Sequence, residues 1–186
     1  MNQPAPREAQ YEDLFGLPDN VIGEILNGQL TTQPRPAPRH AHASSIIGGE
    51  LVPPYGQGRG GPGGWWILFE PELHLAHHIL VPDFAGWRRE RMPSLPEEAY
   101  FRVAPDWVCE VLSPGTARTD RVVKMPIYAQ QGVQWLWLVE PSLHTLEVFR
   151  LHESHWLLEA AWQESDEVRA PPFAEIAFSL AGLWIP

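Results

Sequence analysis

Cysteine is nearly absent: Cys109 is the only one among 186 residues. A lone thiol can close no intramolecular disulfide and cannot supply a thiolate zinc site. It stands in the apolar run Trp107-Val108-Cys109 and is expected to be a buried thiol. Positive charge is scarce as well, with 13 Lys and Arg against 23 Asp and Glu and a formal net charge of −10. That sign opposes tight nonspecific binding of a duplex, which depends on neutralising phosphates. An acidic chain suits a site that gathers divalent cations, and suits equally a protein that avoids self-association. No run of about 18 apolar residues occurs, the length a membrane helix needs. The opening, Met1 to Glu12, is polar and Pro-containing and lacks the basic-then-apolar order of a secretory leader. The expectation is a soluble, cytoplasmic protein with no membrane partner. With 44% hydrophobic residues, positions 1–186 have enough apolar material for one domain with a core.

Alternation over Val21 to Leu26, followed by Asn27-Gly28, predicts a hairpin through a type I′ turn that returns over Gln29 to Gln33. Pro34 to Pro38 stops that strand, and apolar residues at Ala43, Ile46, Ile47 and Leu51 predict a short helix over His40 to Leu51, weakened by Gly48-Gly49. The stretch Gly56 to Gly64 is too glycine-rich for a regular element and lacks the Lys-Ser/Thr ending of a phosphate-cradling loop. Trp65 to Phe69, Leu73 to Ala76 and Leu80 to Trp87 read as strands of a meander. Asp106 to Leu112 is apolar on both faces, the mark of a central strand, and Thr116 to Gln131 is helical up to Gly132, with a kink or split at Pro126. Val133 to Glu140, Thr145 to Leu151 and His155 to Ala161 read as three more strands, and the apolar tail after Ala170 as a cap. A strand-rich chain with few helices implies an α/β or α+β fold around a mixed sheet.

Two carboxylates occur where carboxylates are costly: Asp83 in Val81-Pro82-Asp83-Phe84-Ala85, and Glu110 in Trp107-Val108-Cys109-Glu110-Val111-Leu112. Each needs a cation, a metal or its own proton, and two converging from neighbouring strands would make a divalent-metal pocket. Period-two alternation puts Asp106 on the Glu110 face, as a further metal contact or at the strand mouth. Two other arrangements are open: Asp83 and Glu110 could pair with arginines such as Arg102 or Arg118, and Lys124 could be a solvated helix lysine paired with Asp120.

The run Val81-Pro82-Asp83, then Pro105-Asp106-Trp107-Val108-Cys109-Glu110-Val111-Leu112-Ser113-Pro114, then Asp120, Lys124, Tyr128, Gly132-Val133 and Trp135-Leu136-Trp137 resembles the Uma-two family of restriction endonucleases, within the PD-(D/E)xK nuclease superfamily. Gly23 to Leu30 and His40 resemble that family's opening hairpin and helix, so the similarity spans roughly residues 10 to 150. The resemblance implies a restriction-endonuclease-like mixed central sheet flanked by helices, and hydrolysis of DNA phosphodiester bonds with Mg²⁺, or Mn²⁺ in its place. It implies that Asp83 and Glu110 are the acidic metal ligands, that the Val111 carbonyl is a further ligand, and that Glu24 is an auxiliary acid. The superfamily's simplest pattern places lysine where this chain has Leu112; Lys124, on the following helix, takes that role by resemblance and would orient the attacking water or stabilise developing charge. A homodimer would let two sites address two strands. The alternative is an inactive nuclease fold kept for binding or structure.

Other features carry less. Alternation turns His77 and His78 to opposite faces, so that with His74 at most two histidines align for a metal. His40 and His42 border the predicted helix, where they either face solvent or touch phosphate. Trp135 and Trp137 share a strand face and suit core or dimer packing better than base stacking.

Overall fold

The computed structural model describes residues 7–185; Met1 to Pro6, the first half of the polar opening, and Pro186 lie outside the described residues. The expected hairpin forms from β1 (Val21–Leu26) and β2 (Gln29–Pro34), with the register Leu26 to Gln29 and Val21 to Pro34. Asn27 and Gly28 have φ of 51° and 73°, the left-handed pair that a type I′ turn requires. Helix α1 (Pro38–Leu51) begins on Pro38, whose fixed φ and missing N–H suit a first helical position. Gly48-Gly49 does not shorten it: the helix runs on into a π-helical turn, Val52–Gly56, that carries buried Tyr55. A Cβ at Gly48 would stand 2.7 Å from the Phe69 ring, so the missing side chain lets α1 approach the sheet closely.

The meander expected between Trp65 and Trp87 is not what forms. Strand β3 (Trp65–Phe69) pairs with β6 (Phe84–Arg88), while β4 (Leu73–Leu75) and β5 (His78–Leu80) form a hairpin that belongs with β1. The stretch from Leu80 to Trp87 breaks at Val81-Pro82-Asp83, where Pro82 can donate nothing to a ladder. There the chain passes from one sheet to the other. The smaller sheet has the order β2-β1-β5-β4, and the larger β10-β9-β8-β7-β6-β3.

Strand β7 (Trp107–Val111) is central in the larger sheet, antiparallel to β6 and parallel to β8 (Trp135–Glu140). Its two faces serve two cores. Trp107, Cys109 and Val111 pack with α1 and with Phe173, Leu180 and Leu183 of the C-terminal cap. Val108 and Leu112 pack with Ile127, Tyr128 and Leu136 on the other side. The parallel crossover from β7 to β8 runs through α2 (Ala117–Thr119), a π-helical turn at Asp120–Lys124, and α3 (Met125–Gln130). Pro126 lies in the first turn of α3, so the expected interruption appears just before it as a widened turn rather than a kink. Strands β9 (Thr145–His152) and β10 (His155–Gln163) extend the sheet by antiparallel pairing, and a short pair, β11 (Glu167–Val168) with β12 (Phe178–Ser179), closes the cap. The architecture is a mixed α+β fold with few helices, as the sequence implies.

Candidate active site

Asp83 sits at the crossing between the sheets, one residue before β6, and its carboxylate is held from two sides. Oδ2 accepts from the backbone N–H of Val111 at 2.7 Å, and Oδ1 lies 3.0 Å from Nε2 of His40 in the first turn of α1. Asp83 is thereby fixed against the end of β7. Glu110 points from β7 toward the crossover helices, where Oε1 accepts from the Tyr128 hydroxyl at 2.6 Å and stands 2.8 Å from the Lys124 ammonium. The same ammonium is 3.1 Å from Glu24 and 3.6 Å from Asp120. Glu24 also accepts the Val81 N–H at 2.8 Å, which ties the hairpin to the crossing just ahead of Asp83.

Lys124 is the only lysine in the chain, and its side chain is 1% exposed. The widened turn at Asp120–Lys124 directs both of its terminal charges inward, one cation among three carboxylates. If all four were ionised the cluster would carry a net charge of −2, too much to bury without a proton or a further cation. Burial pushes the Glu110 carboxyl well above the ordinary glutamate range; Lys124 opposes the rise, and Asp120, Asp83 and Glu24 add to it. Burial also raises Asp120, against the pull of Lys124 and a hydrogen bond from Thr116. Burial alone would lower Lys124, but Glu110 and Glu24 outweigh it and hold the ammonium charged. The cluster therefore holds its lysine charged while it pushes the carboxyls of Glu110 and Asp120 upward. Around His40, burial lowers the pKa, but the hydrogen bond and charge of Asp83, with Asp120 and Glu70 behind it, reverse the sign and raise it. Its Nδ1 is buried without a partner among the described residues.

Asp83, Glu110, Val111, His40 and Asp120 line a pocket of about 270 Å³, closed on one side by Ile22 and Gln33 of the hairpin and on another by the turn Ser113 to Thr116. Lys124, Glu24 and Tyr128 lie beneath its floor and reach it through Glu110. The residues singled out in the sequence thus come together in two layers: Asp83, Glu110 and Val111 at the pocket, Glu24 and Lys124 below it. Asp106 is elsewhere. At the opposite end of β7 its carboxylate accepts from the Arg88 N–H at 2.8 Å and from Arg91 Nε at 2.9 Å, because four residues of extended strand separate it from Glu110 on the same face. Neither Arg102 nor Arg118 pairs with the two site carboxylates; His40 and Lys124 do.

Two residues named in the sequence take parts not weighed there. His40 is an Asp83 partner rather than a solvated helix start, and Asp120 is a third buried carboxylate rather than a surface partner of Lys124. The single lysine was the signal that could have found the cluster, since a chain that otherwise carries its positive charge on arginine has little use for one lysine as a solubilising charge. His74 is engaged by Glu72 at 2.7 Å, and His78 Nδ1 accepts the Asn27 N–H at 3.1 Å. His77 lies in the turn before β5, its ring 3.9 Å from that of His78 rather than across a strand from it.

The family described as "Uma2: Putative restriction endonuclease" matches residues 9–181. The chain belongs to this family. A solved structure described as that of "a putative nuclease belonging to DUF820 from Anabaena variabilis ATCC 29413" shares 23% identity with this Uma2 chain at a TM-score of 0.73, covering 92% of this chain and 95% of that one. At that identity the likeness bears on the fold, which it matches nearly end to end. No curated protein matches the chain. In the Uma2 chain no helix among the described residues is long and apolar enough to cross a membrane.

Proposed function

We propose that this chain is a metal-dependent endonuclease that hydrolyses phosphodiester bonds in DNA at the pocket formed by Asp83 and Glu110. The observation that carries the proposal is the buried cluster under that pocket, in which one ammonium faces three carboxylates. Carboxylate oxygens gathered in excess of cationic side chains suit a hard divalent cation. Among the described residues no three His, Cys, Asp or Glu side chains form a ready-made ion cage. Mg²⁺ does not require one, since it is commonly held by one or two carboxylates together with substrate phosphate and water. Asp83, Glu110 and the Val111 carbonyl would hold Mg²⁺, or Mn²⁺ in its place. When bound, that ion supplies charge stabilisation to the phosphoryl group and makes water a competent nucleophile at neutral pH.

The chain's own residues prepare the pocket. His40 and the Val111 N–H hold Asp83 in one orientation, and Tyr128 and Lys124 hold Glu110 in another. Lys124, expected by resemblance to act on water, lies under the floor and in this arrangement acts through Glu110 and Glu24. Glu24 fixes the backbone ahead of Asp83. Supercoiled plasmid incubated with Mg²⁺ or Mn²⁺ should be nicked by the wild type, and Asp83→Ala and Glu110→Ala should remove the nicking. Equal nicking by all three proteins, or its persistence in excess chelator, would refute the proposal. A homodimer cutting both strands belongs to the same reading, and light scattering that returns a monomer mass under assay conditions would remove it.

One observation favours a second reading, a nuclease fold retained for binding: the single lysine is sealed beneath the pocket rather than lining it. Metal-independent nucleic-acid binding without hydrolysis would be its signature.

A further inference from the structure

Beside the carboxylate pocket lies a second cavity of about 550 Å³, within the range of about 300–1,000 Å³ typical of sites for small organic groups. The two cavities share Ala37, His40, Ser113 and Pro114, so the second opens directly onto the residues that flank Asp83. Its walls are of a different kind. Pro38, Leu112, Pro141 and Ile185 are apolar, and the exposed Arg39 stands among the lining residues. Its one carboxylate is Glu140, at the end of β8, buried and held in place by the N–H and hydroxyl of Ser142 at 3.3 and 2.5 Å. Both of those bonds fall on Oε1, which leaves Oε2 able to accept from a ligand.

We infer that this cavity is a subsite for an unstacked nucleobase joined to the phosphate that the carboxylate pocket receives, and that the preferred substrate is single-stranded nucleic acid or an extruded nucleotide. This deepens the nuclease reading and rests on it for the place of the phosphate. Three observations converge on a base. A phosphate alone has no use for a cavity walled by proline, leucine and isoleucine, whereas the flat apolar face of a base does. The Glu140 carboxylate suits the exocyclic amino group of cytosine or adenine and repels a second phosphate. The cavity also adjoins the carboxylate pocket through His40 and Ser113, so one nucleotide can span the two. A base held in a duplex stack cannot enter it.

The test is a binding measurement that does not depend on turnover. Fluorescein-labelled 12-mers of DNA and of RNA, each as a natural single strand, as an abasic backbone and as a duplex, are titrated with the full chain in Ca²⁺ and again in chelator, and anisotropy is read. The natural strand of at least one sugar type should bind about tenfold or more tightly than its abasic counterpart and its duplex. Ile185→Trp, which adds bulk to the cavity wall and alters no carboxylate, should abolish that preference, and Ile185→Asp, which places an anion there without bulk, should weaken the natural strand selectively. Near-ultraviolet circular dichroism confirms that both variants remain folded; should Ile185→Trp misfold, Ile185→Asp alone decides. Equal binding of natural and abasic strands, equal binding of duplex, or a preference that survives both substitutions overturns the inference. The two proposals fail separately. Plasmid nicking without base dependence removes the base subsite and leaves the nuclease, and base-dependent binding without hydrolysis in Mg²⁺ or Mn²⁺ does the reverse.

Discussion

Replacing Lys124 by methionine removes the one buried cation and keeps most of its volume, so the consequence is electrostatic rather than a cavity. The ammonium stands 2.8 Å from Glu110, 3.1 Å from Glu24 and 3.6 Å from Asp120, and each of the three carboxylates is 4% exposed or less. Taking one member from a buried ion pair costs about 3–5 kcal/mol, because the partner is left buried and unpaired. Here three partners are left, so Lys124→Met should lose stability at the upper end of that range near pH 8. For a chain of this size each kcal/mol lowers the melting temperature by roughly 2–4 °C, so a fall of about 10 °C or more is expected. The loss should shrink at lower pH. With the lysine gone, Glu110 and Asp120 shift further upward, and a carboxylate whose folded pKa exceeds its unfolded value destabilises the fold as pH rises from the unfolded value, near 4.5 for Glu110, through the folded one. Urea denaturation of wild type and variant at pH 5 and pH 8 measures both effects. A loss under about 1 kcal/mol at pH 8, or the same loss at both pH values, would refute the view that Lys124 is held by charge. Adding Glu110→Gln to Lys124→Met should recover part of the stability at pH 8.

Histidine NMR resonances should show His40 titrating above its ordinary value of 6.5, and Asp83→Asn should lower that midpoint; a midpoint at or below 6.5 in the wild type contradicts the contact. Since the His40 pKa is raised on folding, its contribution to stability is complete below 6.5 and is lost as pH rises through the folded value, and His40→Gln should flatten that part of the stability profile. Tyr128→Phe deletes the hydroxyl that donates to Glu110 at 2.6 Å and should cost about 1–3 kcal/mol in a urea titration; a neutral result would show that the bond contributes nothing. Gly86→Ala places a Cβ 3.0 Å from the Trp107 ring and 3.3 Å from that of Trp65, both buried, and should destabilise by about 1–3 kcal/mol with a change in tryptophan fluorescence.

Local pattern sufficed wherever the governing interaction is short in sequence. Asn27-Gly28 dictates the turn of the first hairpin because the backbone there needs two left-handed residues, and a run apolar on both faces makes β7 central because both of its sides must be covered. The cost of burying a carboxylate in a strand marked Glu110 before any neighbour was known, whereas Asp83, read the same way, lies half-buried in the crossing just ahead of β6. What local pattern misjudged was the stretch from Trp65 to Trp87, where three strands of similar composition divide between two sheets; alternation tells which face a residue takes but not which strand lies beside it.

From its sequence alone this protein has its central strand, its first hairpin and the two carboxylates that require a counter-charge, since these follow from turn chemistry, alternation and desolvation. Tertiary structure alone assigned the counter-charges. His40 reaches Asp83 from across the sheet crossing, and Lys124 binds Glu24 from a hairpin 100 positions earlier, pairings that depend on how the two sheets meet at Val81-Pro82-Asp83. It also separated Asp106 from the site it had seemed to share, because residues on one face of a strand stand apart along its length, and only the folded chain sets which end of β7 closes the pocket.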